Sequence, residues 1–325
     1  MNNMKTIGIF CGGYSSEWEI SLKSAQTIQD NFPDEFRVIK IIVSRTGWKA
    51  EMQGEHVDFD LNTMTIMGKE MIRIDAGLVY VHGDPGENGK IQALLEMQSI
   101  PYINSGPLPS ALSFDKWYCN QFLKGFGVKV ADSMFLQSAE QFSPKQIADR
   151  LGLPIFVKPS DSGSSYGISK VKSEAEIQPA LENAFKEGRT VVIESFLDGT
   201  EVTCGVYRKR NGVHALPLTE IASENEFFDY EAKYLGKSQE ITPARVNDEV
   251  RKEVQRQAKF IYELLQLRSI ARIDFMVVKG VPHVIEVNTT PGFSPASIVP
   301  QMIKCNGGTI KDFWKEIVAV ELINS

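Results

Sequence analysis

The sequence predicts a protein of more than one domain, with an α/β unit first and a β-rich part last. Three observations carry this prediction. The chain has 325 residues, whereas single hydrophobic cores stop growing at about 250–300 residues. Short apolar runs alternate with helical patterns over the first hundred residues, which is typical of a parallel sheet covered by helices. After Gly188 the character of the chain shifts to β-strands.

The N-terminal unit opens with a strand, a glycine turn and a helix. Strands are predicted at 6–10, 37–43 and 78–82, and helices at 20–32 and 90–97. Ligands of such units bind at the C-terminal ends of the strands. We therefore expect the loops at Gly12-Gly13 and His82-Gly83 to line a site.

The rest of the chain divides at two points, which places the domains at 1–105, 106–190 and 191–325. Helices are predicted at 113–125, 143–151, 174–186, 248–267, 298–304 and 309–322, and strands at 155–159, 168–171, 191–196, 202–208, 213–218, 269–278 and 281–287. The polar and aromatic segment 223–240 is predicted to be a lid, because unstructured loops of this length in compact enzymes usually close over a site.

Composition narrows the class of protein. The net charge is -6, which argues against a sequence-independent grip on nucleic acid. The four cysteines contain no C-x-x-C pair, so neither a zinc site nor a disulfide framework is expected. The N-terminal apolar run is too short for a signal peptide, and no stretch approaches the roughly 20 apolar residues of a membrane span. We expect a cytoplasmic protein without a membrane partner.

The strongest group of polar residues lies on two adjacent predicted strands, in Arg272-x-Asp274 and Glu286-x-Asn288. Side chains two residues apart in a strand share a face, so Asp274, Glu286 and Asn288 can converge. Three oxygen ligands at one point suit Mg²⁺. Arg272 has the same parity as Asp274 and could stabilise negative charge on a reacting group. The alternative is a solvated polar face of an edge hairpin, which the apolar flanking residues disfavour.

A second group begins at Lys158, at the end of a strand, and continues as a Gly- and Ser-rich loop to Gly167. Such a loop can surround phosphates with N–H groups and a positive charge. No Walker A motif occurs, so this is not a P-loop. Loops of this composition are more often plain turns, but the neighbouring acidic group favours phosphate binding.

Two further loops carry polar groups. Residues 227–234 read FFDYEAKY, which could pack the loop down or close it over a substrate and exclude water. The loops around Glu17 and His82 offer a carboxylate for an ammonium group and an imidazole. Alone, His82 would be read as a structural loop histidine.

Together these motifs resemble the ATP-grasp superfamily and, within it, the D-alanine–D-alanine ligases. The most specific segments are GGYSSEWEIS, HGDPGENG, KPSDSGSSYG, FFDYEAKY, and RIDFM followed by EVNTTPG, in the family's order. The resemblance implies three domains: an N-terminal parallel-sheet α/β domain, a central domain and a C-terminal antiparallel-sheet domain. ATP would lie between the last two.

The resemblance also assigns the nucleotide and metal ligands. It implies an ATP site formed by Lys116, Lys158, Glu194, Leu197, Glu201 and Lys233. Asp274, Glu286 and Asn288 match the ligands of two Mg²⁺ ions, which Mn²⁺ could replace. The lysines would contact phosphates, Glu194 and Leu197 the adenine, and Glu201 the ribose.

The implied reaction joins two D-alanines through an acyl phosphate, for peptidoglycan synthesis, cell-wall biogenesis and cell shape. Arg272 and the backbone N–H of Gly292 match the groups that hold the oxyanion. Glu17 matches the partner of the first D-alanine's ammonium group. The resemblance ties Glu17 to Ser164 and Tyr234 in a hydrogen-bonded triad. His82, Ser297 and Ile298 match substrate-binding positions.

Alternatives remain open at this stage. D-lactate or D-serine could be the acceptor, although the retained FDYEAKY segment favours a dipeptide product. A non-catalytic ATP-binding regulator on the same fold would be expected to lose a metal ligand or the arginine, yet all are present. Phe228 and Ala271 depart from residues common in the family, and neither removes a reacting group. The family is commonly dimeric, so a homodimer is among the expectations.

Overall fold

Three β-sheets organise the chain in a computed structural model that describes residues 4–161, 163, 166–223 and 238–322. In these ranges the sheets have eight, four and six strands. Ser164, Lys233 and Tyr234 lie outside the described residues, as do Phe228 and most of the predicted lid. None of the described helices combines the length and apolar character needed to cross a bilayer.

The first sheet has the order β6-β5-β4-β3-β2-β1-β7-β8. Its strands are β1 (Thr6–Gly12), β2 (Arg37–Val43), β3 (Lys49–Met52), β4 (Glu55–Asp60), β5 (Thr65–Met67), β6 (Met71–Arg73), β7 (Ala76–Val79) and β8 (Tyr102–Ile103), with helices α1 (Trp18–Asn31) and α2 (Lys90–Met97). The four strands β2, β1, β7 and β8 are parallel, which confirms the predicted parallel sheet and adds β8, a strand that was not predicted. Every residue of β1 is buried, because a parallel sheet covered by helices buries both faces.

An antiparallel extension, β3 to β6, was not predicted from the sequence. These strands are short and are joined antiparallel to one another and to β2. In β4, three of the six residues are exposed and only Phe59 is buried. Such a half-solvated edge gives a weak apolar signal, so periodicity does not reveal it.

The second sheet has the order β11-β10-β12-β9 and is antiparallel. It consists of β9 (Ser133–Leu136), β10 (Ile155–Pro159), β11 (Ser169–Val171) and β12 (Val191–Ser195), with α5 (Pro144–Leu151), a 3-10 turn (Glu174–Glu176) and α6 (Ile177–Glu187). The boundary predicted at 190 precedes β12, yet β12 pairs within this sheet. The change of sheet falls after Ser195, and we propose the domain boundary there.

The third sheet is antiparallel, with the order β16-β15-β13-β17-β18 and β14 paired to β13. Its elements are β13 (Thr200–Lys209), β14 (Gly212–Ala215), β15 (Thr219–Ser223), β16 (Ser238–Ile241), β17 (Ile270–Val278), β18 (Val281–Asn288), α7 (Asp248–Leu264), α8 (Ile298–Cys305) and α9 (Ile310–Glu321). Of the segment predicted to be a lid, Ser223 belongs to β15 and residues 238–240 belong to β16, while residues 224–237 lie outside the described residues.

The helix predicted at 113–125 is two helices, α3 (Pro107–Phe114) and α4 (Lys116–Gly125). Asp115 separates them with an extended backbone, and its side chain accepts hydrogen bonds from the N–H groups of Trp117 and Tyr118 at 3.1 Å. An N-cap of this kind ends one helix and starts the next. Both helices contact β18, so they pack on the third sheet.

One hydrophobic core joins the first and third sheets. Ile7, Ile28 and Leu78 pack in the same buried cluster as Tyr207 and Trp314. Trp314 is fully buried and stands 6.2 Å from Phe32 of the N-terminal unit, ring centre to ring centre. The four-stranded sheet has a separate core of its own.

Candidate active site

A cavity of about 790 Å³ lies where the three sheets meet. The first sheet contributes Glu17 and His82, the second contributes Lys158, and the third contributes Arg272 and Glu286. Most of the residues predicted to bind or react line this one space. The fold therefore brings together motifs that are up to 280 residues apart in the chain.

The β17–β18 hairpin carries the charged face of the cavity. In the antiparallel register Arg272 lies opposite Asn288, and Asp274 lies opposite Glu286. Residues opposite one another in such a pair present their side chains on the same face. The register shifts between Asp274 and Phe275, immediately beyond the charged residues. The four side chains thus share one face, as the strand periodicity predicts.

Arg272 and Asp274 form a two-pronged ion pair. The Nε and Nη2 groups of Arg272 donate to the two Asp274 oxygens at 2.9 and 2.8 Å. Asn288 Nδ2 donates to Asp274 Oδ2 at 3.2 Å, and the Thr203 hydroxyl donates to Oδ1. Burial would lower the pKa of Arg272, but the surrounding carboxylates Asp274, Glu286 and Glu240 raise it further above its ordinary value. Arg272 is therefore a permanent cation.

The oxygens of this face suit a magnesium ion in their chemistry. Mg²⁺ takes one or two carboxylates and completes its shell with phosphate oxygens and water. The described residues contain no group of three His, Cys, Asp or Glu side chains that could hold a metal. Asp274 and Glu286 supply two carboxylates, and turning the Asn288 amide would aim its oxygen at the same place. This donor set fits a cation that arrives with a polyphosphate.

Two lysines place positive charge beside the carboxylates. Lys158 Nζ lies 2.7 Å from Glu194 Oε2, and both side chains are buried. Burial lowers the pKa of Lys158, but the Glu194 carboxylate outweighs it, so the pKa is raised and the lysine stays charged. Lys116, the first residue of α4, lies 3.8 Å from Glu286 Oε2. Both lysines line the cavity, as do Leu197 and Glu201.

The N-terminal unit contributes a cluster of Glu17, His82 and Glu87, in which His82 and Glu87 are buried and Glu17 is half-buried. His82 Nε2 lies 3.3 Å from the hydroxyl of Ser24, and burial lowers the pKa of His82 although Glu17 opposes this. Glu87 accepts a hydrogen bond from the N–H of Gly83 at 2.7 Å. Burial, together with the nearby Glu17 carboxylate, raises the pKa of Glu87 to about 8. The Glu87 carboxyl group is therefore protonated at pH values at which an exposed glutamate is ionised.

Glu17 lies against the glycine-rich loop of the second sheet. A Cβ atom placed on Gly163 would come within 2.8 Å of Glu17 Oε2, so a side chain at this position would displace the Glu17 carboxylate. The contact joins two of the predicted motifs across the cavity. Ser164 and Tyr234, which the resemblance adds to Glu17, lie outside the described residues.

The loop after β18 forms the remaining wall, with Gly292, Ser297 and Ile298 lining the cavity. Ser297 is the N-cap residue of α8, and its Oγ accepts from the N–H of Ser294 at 3.0 Å. The N–H of Phe293 donates to Ser24 Oγ at 3.0 Å. Because Ser24 also contacts His82, it couples this loop to the N-terminal cluster.

Among the polar lining residues that the sequence did not single out are Glu87, Thr203 and Glu240. Glu87 lies within the HGDPGENG segment, and its burial could not be inferred from that segment. Thr203 lies opposite Asp274 on β13, and strand alternation alone could have suggested that it shares the face. Glu240 lies on β16, as the last residue of the segment predicted to be a lid, and no motif marks it.

Comparison with known proteins places these observations in a family. Residues 6–105 match the family profile described as D-ala D-ala ligase N-terminus, and residues 122–319 match D-ala D-ala ligase C-terminus. The D-alanine–D-alanine ligase of Parabacteroides distasonis is 43% identical over 324 residues, covering 98% of this chain and 98% of that protein.

Solved structures agree with the sequence comparison. D-alanyl-alanine synthetase A from Vibrio cholerae has a TM-score of 0.89 and 33% identity, covering 98% of this chain and 99% of that chain. The VanG D-Ala:D-Ser ligase from Enterococcus faecalis also has a TM-score of 0.89, with 29% identity over 98% of this chain and 100% of that chain.

Proposed function

Since the chain belongs to the D-alanine–D-alanine ligase family, we propose that it joins two D-alanines in an ATP-dependent reaction that supplies D-alanyl-D-alanine for peptidoglycan. One observation on this chain's own residues supports the proposal. The Arg272–Asp274 and Glu286–Asn288 face opens into the same cavity as Lys158 and Glu17. The residues proposed for phosphate transfer and the carboxylate proposed for ammonium binding thus line one space.

ATP is proposed to bind between the second and third sheets. Lys116 and Lys158 are assigned to its phosphates, because both are cavity-lining lysines near carboxylates. Glu194 holds Lys158, which leaves the backbone of Glu194 and Leu197 for the adenine. Glu201 is assigned to the ribose hydroxyls. Lys233, assigned to the γ-phosphate by resemblance, lies outside the described residues.

Asp274, Glu286 and Asn288 are proposed to hold two Mg²⁺ ions, with Mn²⁺ as a substitute. When bound, the metal neutralises phosphate charge and aligns the groups that react. The chain's own contribution is to fix the three ligands on one rigid hairpin. Arg272 compensates the charge of these carboxylates through its two hydrogen bonds to Asp274.

The chemistry is the activation of a carboxylate followed by attack of an amine. A carboxylate oxygen of the first D-alanine attacks the γ-phosphorus of ATP. ADP is released, and the D-alanine carboxylate becomes an acyl phosphate. The second D-alanine, after its ammonium group has lost a proton, attacks the acyl carbon with its neutral amine nitrogen. Phosphate leaves, and the nitrogen gives up a second proton as the peptide bond forms. Arg272 and the N–H of Gly292 are proposed to stabilise the oxyanion between these events.

Glu17 is proposed to pair with the ammonium group of the first D-alanine, with His82 beside it. Ser297 and Ile298, at the N-terminus of α8, are proposed to receive the carboxylate of the second, since a helix N-terminus favours an anion. Ser164 and Tyr234 would complete the tether to Glu17. A homodimer and a cytoplasmic location are further proposals that follow from the family.

A second candidate uses another acceptor, D-serine or D-lactate. The likeness to VanG D-Ala:D-Ser ligase supports D-serine, at 29% identity. The relatives at about 40–43% identity are D-alanine–D-alanine ligases, which favours D-alanine.

The test is ATP-dependent phosphate release with D-alanine alone, with the product identified by mass spectrometry. We expect phosphate release and the mass of D-alanyl-D-alanine. Phosphate release only after D-serine or D-lactate is added would identify that compound as the acceptor and would leave the proposed mechanism unchanged. Binding of Mg-ATP without release for any acceptor would contradict ligase activity and support a non-catalytic regulator.

A further inference from the structure

Glu240 is an acidic residue in the cavity that no motif accounts for. It lies in β16, opposite Ile221 of β15, and both residues line the cavity. Its side chain is on the side of the cavity where Arg272 and the loop before α8 lie, and its charge contributes to the field at Arg272. Glu240 therefore faces the space in which the acyl carbon and the acceptor must meet.

The contacts of Glu240 place it beside the proposed second subsite. Gln301 of α8 donates from Nε2 to Glu240 Oε2 at 3.3 Å. The same Nε2 group donates to the carbonyl of Ala296 at 2.8 Å. Ala296 is the residue immediately before Ser297 and Ile298, which are assigned to the acceptor's carboxylate. One amide thus connects Glu240 to that subsite.

Glu220, on the neighbouring strand, shows what a compensated carboxylate looks like in this cavity. Arg245 donates to it three times, from its backbone N–H at 3.0 Å, from Nε at 3.0 Å and from Nη2 at 2.6 Å. Among the residues that the structure describes, the hydrogen bond to Glu240 comes instead from a neutral amide. Burial raises the pKa of Glu240, and Arg272 only partly opposes this. A half-buried carboxylate with a neutral partner is stabilised by an incoming cation.

We propose that Glu240 binds the ammonium group of the amino acid in the second subsite and thereby selects an amine acceptor over a hydroxy acid. This inference rests on the proposed ligase function and on the assignment of Ser297 and Ile298. An acceptor held at its carboxylate by the start of α8 and at its nitrogen by Glu240 is fixed at both ends. D-lactate carries a neutral hydroxyl in place of the ammonium group and loses the second contact.

The test is a competition between D-alanine and D-lactate as acceptors, with the two products counted by mass spectrometry. Glu240→Gln removes the charge and keeps the shape. Hydrogen bonds to charged groups are worth about 1.5–3 kcal/mol, so the ratio of dipeptide to depsipeptide should fall about 10- to 100-fold. The KM of D-alanine in the second subsite should rise by a similar factor, while the KM of ATP should not change.

Two further variants complete the design. Glu240→Asp withdraws the charge by one methylene and should give an intermediate ratio, and it replaces the first variant if Glu240→Gln fails to fold. Glu263→Gln, an exposed carboxylate on α7, should leave the ratio unchanged. An equal product ratio in wild type and both Glu240 variants would overturn the inference alone. Failure of the wild type to make any dipeptide would contradict the proposed function itself, and the inference with it.

Discussion

Two arginine–carboxylate pairs lie at the start of β17, four residues apart, and they differ in what surrounds them. Arg268 donates from Nε to Glu321 at 2.6 Å and from Nη2 to the carbonyl of Tyr102 at 2.9 Å. The second oxygen of Glu321 accepts from the N–H of Ser269 at 2.9 Å. This pair is balanced, with one cation and one carboxylate, and it ties α9 to the first sheet.

Arg272 lies among more carboxylates than it can neutralise. Asp274 takes both prongs of the guanidinium, while Glu286 and Glu240 raise the pKa of Arg272 from further away. Lys116 Nζ lies 3.8 Å from Glu286 Oε2. A balanced pair such as Arg268–Glu321 ties elements of the fold together, whereas a surplus of carboxylates facing a cavity favours the binding of a further cation.

The largest loss of activity should come from removing one of the carboxylates around Arg272. Glu286→Gln removes one carboxylate from the proposed metal site and should lower kcat/KM by about 10³-fold or more, because metal-assisted charge stabilisation contributes several kcal/mol. Turnover measured against Mg²⁺ concentration should show a weaker apparent affinity for the metal.

Glu321→Gln is the matched control in the balanced pair. It should reduce the midpoint of urea unfolding and leave the Mg²⁺ dependence of the folded protein unchanged. A Glu286→Gln enzyme with wild-type turnover and Mg²⁺ dependence would remove Glu286 from the metal site.

Replacing the two arginines sharpens the comparison. Arg272→Lys keeps the charge but loses the fork that holds Asp274 and the proposed oxyanion contact, so kcat should fall about 10²- to 10³-fold. Arg268→Lys should cost about 1–2 kcal/mol of unfolding free energy, since Arg268 is partly exposed, and kcat per folded molecule should be retained. Steady-state kinetics and urea unfolding of both variants measure this. Equal loss of kcat in the two variants would break the distinction.

The N-terminal cluster shows the same surplus in milder form. Glu87 has a pKa of about 8, above the ordinary value of 4.5, so the folded chain keeps a proton that the unfolded chain loses within this window. Stability due to Glu87 is therefore lost as the pH rises from about 4.5 to 8. The unfolding free energy of Glu87→Gln, measured relative to that of wild type, should therefore increase by about 2–4 kcal/mol from pH 5 to pH 9.

Urea unfolding at several pH values measures the gain, with Glu263→Gln as the reference variant. A difference between Glu87→Gln and wild type that stays constant with pH would show that Glu87 titrates normally.

The fold could be predicted where one periodicity covers a whole element. The parallel strands β1 and β2 and the β17–β18 hairpin, with its turn at Lys279-Gly280, were located from apolar runs and glycine. The antiparallel extension was missed because its strands are short and half exposed. The break at Asp115 was missed because capping is a local hydrogen-bonding event within an otherwise continuous helical pattern.

The site could be predicted where parity decides which residues share a face. Arg272, Asp274, Glu286 and Asn288 follow from period two on paired strands, and the structure places them opposite one another. Glu240 could not be found this way, because its place depends on how β16 meets α8 across the cavity. The roles of the individual residues stay predictions that the variants above test.

The buried core shared by the two ends of the chain has a consequence for biosynthesis. Trp314 and Phe313 complete the packing around Tyr80, and Lys311 reaches Asp34 at 2.7 Å. The first hundred residues therefore emerge from the ribosome while one of their apolar faces is still uncovered. That face is covered only after α9 has emerged. The four-stranded sheet has a separate core, so it can fold before α9 covers the N-terminal unit.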